Sequence, residues 1–232
     1  MLSCDELKKE ENRKISIITN FGCRANCWYC IWKDHKLKNY GVSYKSTDWE
    51  KLEEFLCKYK DKGKISLSGG GDCLYKYDRK PGLLTDWWDK FLSLIHKYSL
   101  LLDIHTREKN LYFPFFKDHI NRVVFSSDNL YQPNLNISTM SDAEYLQALR
   151  SFCLIRIVHL VTKNTSLKMI DDYLEFTRLY NMQFTIKKLV GFDDGGMYDL
   201  IKQKYPDIFC LDEGDYNIYY MPDNNVYDKF LM

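Results

Sequence analysis

The chain has 232 residues, with Lys+Arg 33 against Asp+Glu 32 and a formal net charge of +1, so it lacks the overall positive charge of a dedicated nucleic-acid binder. Hydrophobic residues make up 45% and charged residues 28%, a globular rather than disordered composition, and the length suits one domain with a sizeable core. No apolar run reaches the roughly 18–20 residues of a membrane span. The N-terminus enters a charged stretch from Lys8 to Lys14 with no signal-peptide core, so a cytoplasmic location is expected.

In chain order, Ile15–Thr19 reads as a first strand. Thr47-Asp-Trp-Glu50 is a capping box for a helix with Trp49, Leu52, Leu56 and Tyr59 along one stripe. Lys64–Ser68 is a second strand, and Thr85 can cap a helix carrying Leu84, Trp87, Trp88, Phe91 and Ile95. Leu100–Ile104 and Arg122–Ser126 follow as strands, with no more than a Pro-interrupted turn or two between them. Ser141-Asp-Ala-Glu144 is a second capping box before Leu146 and Leu149. Leu154–Val161 is a fifth strand, Ile170, Tyr173, Leu174 and Thr177 mark a helix, and Gln183–Lys188 is a sixth strand. Most of these strands are apolar on both faces, as buried parallel strands are. Tyr216–Tyr220 and Val226–Phe230, around Pro222–Asn225, read as a terminal hairpin.

Strands alternating with helices imply right-handed βαβ units and a parallel sheet. A full eight-stranded barrel takes about 250 residues. The α/β chain is therefore read as a single domain built on a partial (βα)6 TIM-like barrel, with its core over 14–190 and a C-terminal extension over 191–232. A doubly wound open sheet is the competing architecture.

The chain has eight cysteines, too few for a disulfide scaffold and in a compartment expected to keep them reduced. Cys23, Cys27 and Cys30 crowd together as C-x3-C-x2-C just after the first strand, and the others are scattered. Such clustering points to a metal. Iron–sulfur clusters are normally held by four Cys thiolates, so three from one loop leave one iron open for chemistry. A structural zinc site with His35 as fourth ligand is the alternative. The second strand ends in Ser68-Gly69-Gly70-Gly71-Asp72, where glycines let a ligand approach the backbone and Asp72 can meet a cation. In a βαβ unit both motifs sit at the same sheet edge.

Together the two motifs resemble the radical S-adenosylmethionine superfamily: Cys23-x3-Cys27-x-Tyr29-Cys30 has its aromatic before the last cysteine, and Gly70-Gly71-Asp72 stands for its Gly-Gly-Glu. Asp72 is one methylene shorter than the usual Glu, which favours contact through the backbone or a water. A register using Gly69-Gly70-Gly71 is also open. The resemblance implies a [4Fe–4S] cluster on Cys23, Cys27 and Cys30, with S-adenosyl-L-methionine on its open iron. Gly70, Gly71 and Asp72 would lie against the ammonium end and the backbone at Tyr29 against the adenine, while Ser126 and Asp128, after the fourth strand, would lie near the ribose. It further implies an electron donor such as flavodoxin or ferredoxin, and reductive cleavage to a 5′-deoxyadenosyl radical that abstracts hydrogen from substrate. Arg107, Lys163 and Lys187, at other strand ends, could pair with the methionine carboxylate or an acidic substrate group.

Only Cys210 follows Cys153, so no C-terminal cysteine array for auxiliary clusters is expected, which disfavours the peptide-maturing and the sulfur-inserting members. In size the chain resembles the minimal members, the activators of glycyl-radical enzymes and the 7-carboxy-7-deazaguanine synthases. A small-molecule or nucleotide-like substrate is expected, with no membrane and no long nucleic acid as partner. An activating enzyme acting on a protein partner is the alternative within the class. Outside it stands a non-catalytic zinc-binding module. His159 reads as a core residue, and Cys73 as a buried, inert thiol.

Overall fold

The structure is a computed structural model and describes residues 14–23, 27, 30, 42–75, 83–107, 118–127, 140–188, 191–206, 208–210 and 217–228. By contact the chain falls into two compact units. The first comprises Met1–Tyr112, Asp118–Asn121 and Glu213–Met232, and the second Phe113–Lys117 and Arg122–Asp212.

The first unit holds β1 (Lys14–Gly22), α1 (Ser43–Ser46), α2 (Trp49–Lys58), β2 (Lys64–Gly71), α3 (Leu83–Lys97), β3 (Leu101–Thr106), the start of β4 (Ile120–Ser127), and the closing strands β8 (Asn217–Tyr220) and β9 (Val226–Tyr227). Its strands run β3-β2-β1-β8-β9. All neighbours are parallel except β8 and β9, which form the expected antiparallel hairpin. The hairpin is more than an appendage, because Ile15 pairs with Ile218 and Ile17 with Tyr220.

The second unit holds the rest of β4, then α4 (Met140–Arg150), β5 (Leu154–Val161), α5 (Leu167–Leu179), β6 (Gln183–Lys188), α6 (Met197–Lys204) and β7 (Phe209–Cys210). Strands β4 to β7 lie side by side in chain order and all parallel. Within each unit successive crossovers step in one direction: β1 to β2 to β3, and β4 to β5 to β6 to β7. A doubly wound sheet would reverse direction after its first crossover. The α/β, mostly parallel architecture is thus wound as a barrel is, and neither unit closes its sheet on itself.

Several helix starts differ from the sequence reading. The side chain of Asp48, not Thr47, caps α2, accepting from Lys51 N at 3.2 Å. Thr47 instead ends α1, donating to Ser43 O and accepting from Trp87 Nε1 at 2.9 Å. Thr85 lies inside α3, which begins at Leu83, and α4 begins at Met140, one residue before its capping box. Ser166 caps α5 by accepting from Met169 N.

The first unit's core packs Ile15, Ile17, Ile65 and Leu67 of the sheet with Leu52, Phe55 and Leu56 of α2 and Trp88, Phe91 and Ile95 of α3, all buried. Asn224, in the β8–β9 turn, accepts from Asp48 N at 2.8 Å and donates to Ser46 O at 2.9 Å, tying the hairpin to the α1–α2 joint. In the second unit Tyr173 of α5 stacks on Phe184 of β6 at 5.1 Å, and Ile157 and Ile186 are fully buried.

Candidate functional site

The site grows from the way β1 and β2 end. Thr19 pairs with Gly69 and Asn20 with Gly70, and then Gly22 pairs with Gly71, so one extra residue of β1 bulges between the last two pairs. Bulges re-aim a strand end and are frequent beside active sites. The bulged residue, Phe21, is buried, with its ring 4.9 Å from that of Trp87 in an edge-on contact and 6.3 Å from that of Tyr44. This aromatic anchor fixes the point from which the chain turns into Cys23.

Gly71 has φ +107°, and a Cβ there would stand 2.2 Å from Gly22 O. No side chain fits that gap, so the two strand ends meet backbone to backbone. Asp72 N donates to the same Gly22 carbonyl at 2.8 Å. The glycine run and the start of the cysteine segment are thereby locked together.

Asp72 itself is only 4% exposed. Its Oδ1 accepts from Leu74 N at 2.9 Å, and its carboxylate accepts from Thr106 Oγ1 at 2.7 and 2.9 Å. Its Oδ2 accepts from Arg107 N at 2.6 Å. A buried carboxylate requires such donors, and apart from Leu74 N these come from the last residue of β3 and the one after it. Arg107 then extends its guanidinium to Cys27, with Nη1 donating to Sγ at 2.7 Å. The ends of β1, β2 and β3 and one cysteine thus share one hydrogen-bonded constellation.

Cys73, next to Asp72, is buried and donates to His105 O at 3.5 Å. Burial, reinforced by the Asp72 charge, holds its thiol well above the ordinary range, so it stays protonated. Its burial is as read from the sequence. His159 is likewise a core residue, its Nε2 3.0 Å from Thr165 Oγ1 and its ring 5.0 Å from Tyr173.

Cys23, Cys27 and Cys30 are reduced thiols, each partly exposed. Among the described residues no group of three or more His, Cys, Asp or Glu side chains stands so as to hold a metal ion. In chemistry the donor set suits a thiolate-ligated centre: three thiols on one segment, a guanidinium at one of them, and a side-chain-free glycine backbone alongside. Gly70, Gly71 and Asp72 lie at the C-terminal end of β2 as expected. Ser126 belongs to the second unit, in β4 opposite Val158, as do Lys163, after β5, and Lys187, in β6 opposite Leu160. Tyr29, Asp128 and His35 lie outside the described residues.

Sequence reasoning missed two features. Thr106 carries no motif, and only its place at the end of an apolar strand marks it. For Arg107, a candidate partner for a ligand carboxylate, the contact of its guanidinium with the Cys27 thiol was not foreseen.

Two solved structures share this fold. SuiB of Streptococcus suis bound to S-adenosylmethionine superposes with a TM-score of 0.61 at 15% identity, over 97% of this chain and 63% of that one. SuiB bound to the precursor peptide SuiA gives 0.58 at 14% identity, over 97% and 62%. The chain therefore spans less than two thirds of the SuiB length. No protein-family model and no curated protein sequence matches it. By fold, the chain stands with S-adenosylmethionine-bound SuiB.

Proposed function

We propose that the chain is a radical S-adenosylmethionine enzyme, reductively cleaving S-adenosylmethionine and using the 5′-deoxyadenosyl radical to take hydrogen from a small-molecule or nucleotide-like substrate. The observation that carries this is the junction of the two motifs: Asp72 N donates to Gly22 O, the carbonyl immediately before Cys23. A zinc module gives no reason to bind a glycine run to its cysteine segment in this way. The fold shared with a SuiB structure that holds S-adenosylmethionine supports the same reading.

Cys23, Cys27 and Cys30 would hold a [4Fe–4S] cluster. Bound there, it supplies low-potential electrons and an open iron for the sulfonium cofactor. The chain's own residues do the rest. Gly70 and Gly71 offer backbone that the cofactor's ammonium end can approach closely. Asp72, its oxygens engaged by Leu74, Thr106 and Arg107, holds that backbone in place, so its part is played through the loop it anchors. Tyr29, Ser126 and Asp128 are proposed to bound the adenosine portion. Electrons would come from a flavodoxin- or ferredoxin-like donor, in the cytoplasm. A peptide substrate is the second reading, favoured by the likeness to SuiB with its precursor peptide.

Anaerobic reconstitution with iron and sulfide tests the proposal. The expected result is a cluster absorbing broadly in the visible, and 5′-deoxyadenosine formed from S-adenosylmethionine on reduction. Cys27→Ala should abolish both, and Cys57→Ala neither. Stoichiometric zinc with no 5′-deoxyadenosine would overturn it.

A further inference from the structure

We propose that Arg107 is a positioning residue for the cysteine-bound centre, one that raises the reduction potential of the cluster through its contact with Cys27. The inference rests on the function proposed above. Two observations on the chain itself carry it. The guanidinium Nη1 donates to Cys27 Sγ at 2.7 Å. The base of the same residue is fixed, because Arg107 N donates to Asp72 Oδ2 at 2.6 Å and the preceding Thr106 hydroxyl also binds that carboxylate. Asp72 is buried and its own N–H is tied to Gly22 O, so the arginine is braced against the ends of β1 and β2.

Arginine does not lose its charge in proteins, so whatever occupies the thiolates meets a permanent cation there. A reduced cluster is more negative than an oxidised one. A charged donor on a ligand sulfur therefore favours the reduced state, and hydrogen bonds to sulfur are among the determinants of cluster potential. Lysine would keep the charge but not the rigid fork, and so retain part of the effect.

The test is a redox titration, followed by electron paramagnetic resonance, of the reconstituted full-length wild type and of R107K, R107Q and R107M, with circular dichroism to confirm folding. The expected result is a more negative midpoint in R107Q and R107M, with R107K between them and wild type. Where R107M takes up no iron, the R107Q midpoint decides in the same way. Folded R107Q and R107M that both refuse iron while R107K accepts it also support the contact. Loaded variants sharing the wild-type midpoint overturn this inference and leave the proposed function standing. A wild-type chain that takes up no cluster overturns both.

Discussion

The carbonyl oxygen of Gly22 occupies the space that a side chain on Gly71 would need, 2.2 Å from where its Cβ would lie. The contact is between two backbones and has no flexible atom to yield. Gly71→Ala is therefore expected to combine left-handed strain of about 1–3 kcal/mol with displacement of the β1 end. Gly63 also has positive φ, +68°, but nothing lies within 4 Å of a Cβ there. Gly63→Ala should cost only the left-handed strain, about 1–2 kcal/mol. Thermal unfolding of both variants checks this: an equal loss would mean that the strand ends part easily.

Asp72 gathers its donors in a buried position, so its replacement leaves groups stranded. Asp72→Asn substitutes a donor for one acceptor and should destabilise by about 1–3 kcal/mol. For a chain of this size that lowers the melting temperature by about 2–4 °C per kcal/mol. Thr106→Val removes one donor and should cost less. A melting temperature unchanged in Asp72→Asn would show that the carboxylate anchors nothing.

His119 gives a pH dependence of defined sign. Partial burial, then the neighbouring His96, lowers its pKa from 6.5, while Asp118 opposes the shift. The unfolded chain thus binds the proton more readily than the folded one, so the stabilising contribution is present above about pH 6.5 and is lost as the pH falls through the lowered folded value. His119→Gln should show a smaller drop in melting temperature between pH 7.5 and 5.5 than wild type. Parallel profiles would exclude the effect.

The cysteines should separate by reactivity. At pH 8, iodoacetamide followed by mass spectrometry should find exposed Cys57 modified early. Cys153, its thiol pushed by burial to about 11, should react slowly, and buried Cys73 only after urea is added. Modification of Cys73 in the folded chain would contradict its placement.

How much of this could be read in advance depended on what each feature rests on. The six strands were visible because apolar runs such as Ile15–Thr19 and Leu154–Val161 announce burial by side chain. Their ends were not, since β2 continues through Gly71 on backbone pairing alone, to which glycine contributes no pattern. Helix α6 escaped notice because it begins after Gly196 without a side-chain cap. The cysteine and glycine motifs were local and legible. The link from Arg107 to Cys27 joins residues that only the fold brings together, and an arginine after a strand carries no signal of the thiol it will meet.

The pairing of β1 with β8 has a consequence in time. The strand that leads into Cys23 is flanked early by β2, but its other neighbour, β8, begins only at Asn217. At about 5–20 residues per second, a ribosome takes roughly 10–40 s to pass from one to the other. Until then β1 stands at an open edge, able to pair with the wrong chain. Completion of the pairing around β1 thus waits on the synthesis of β8.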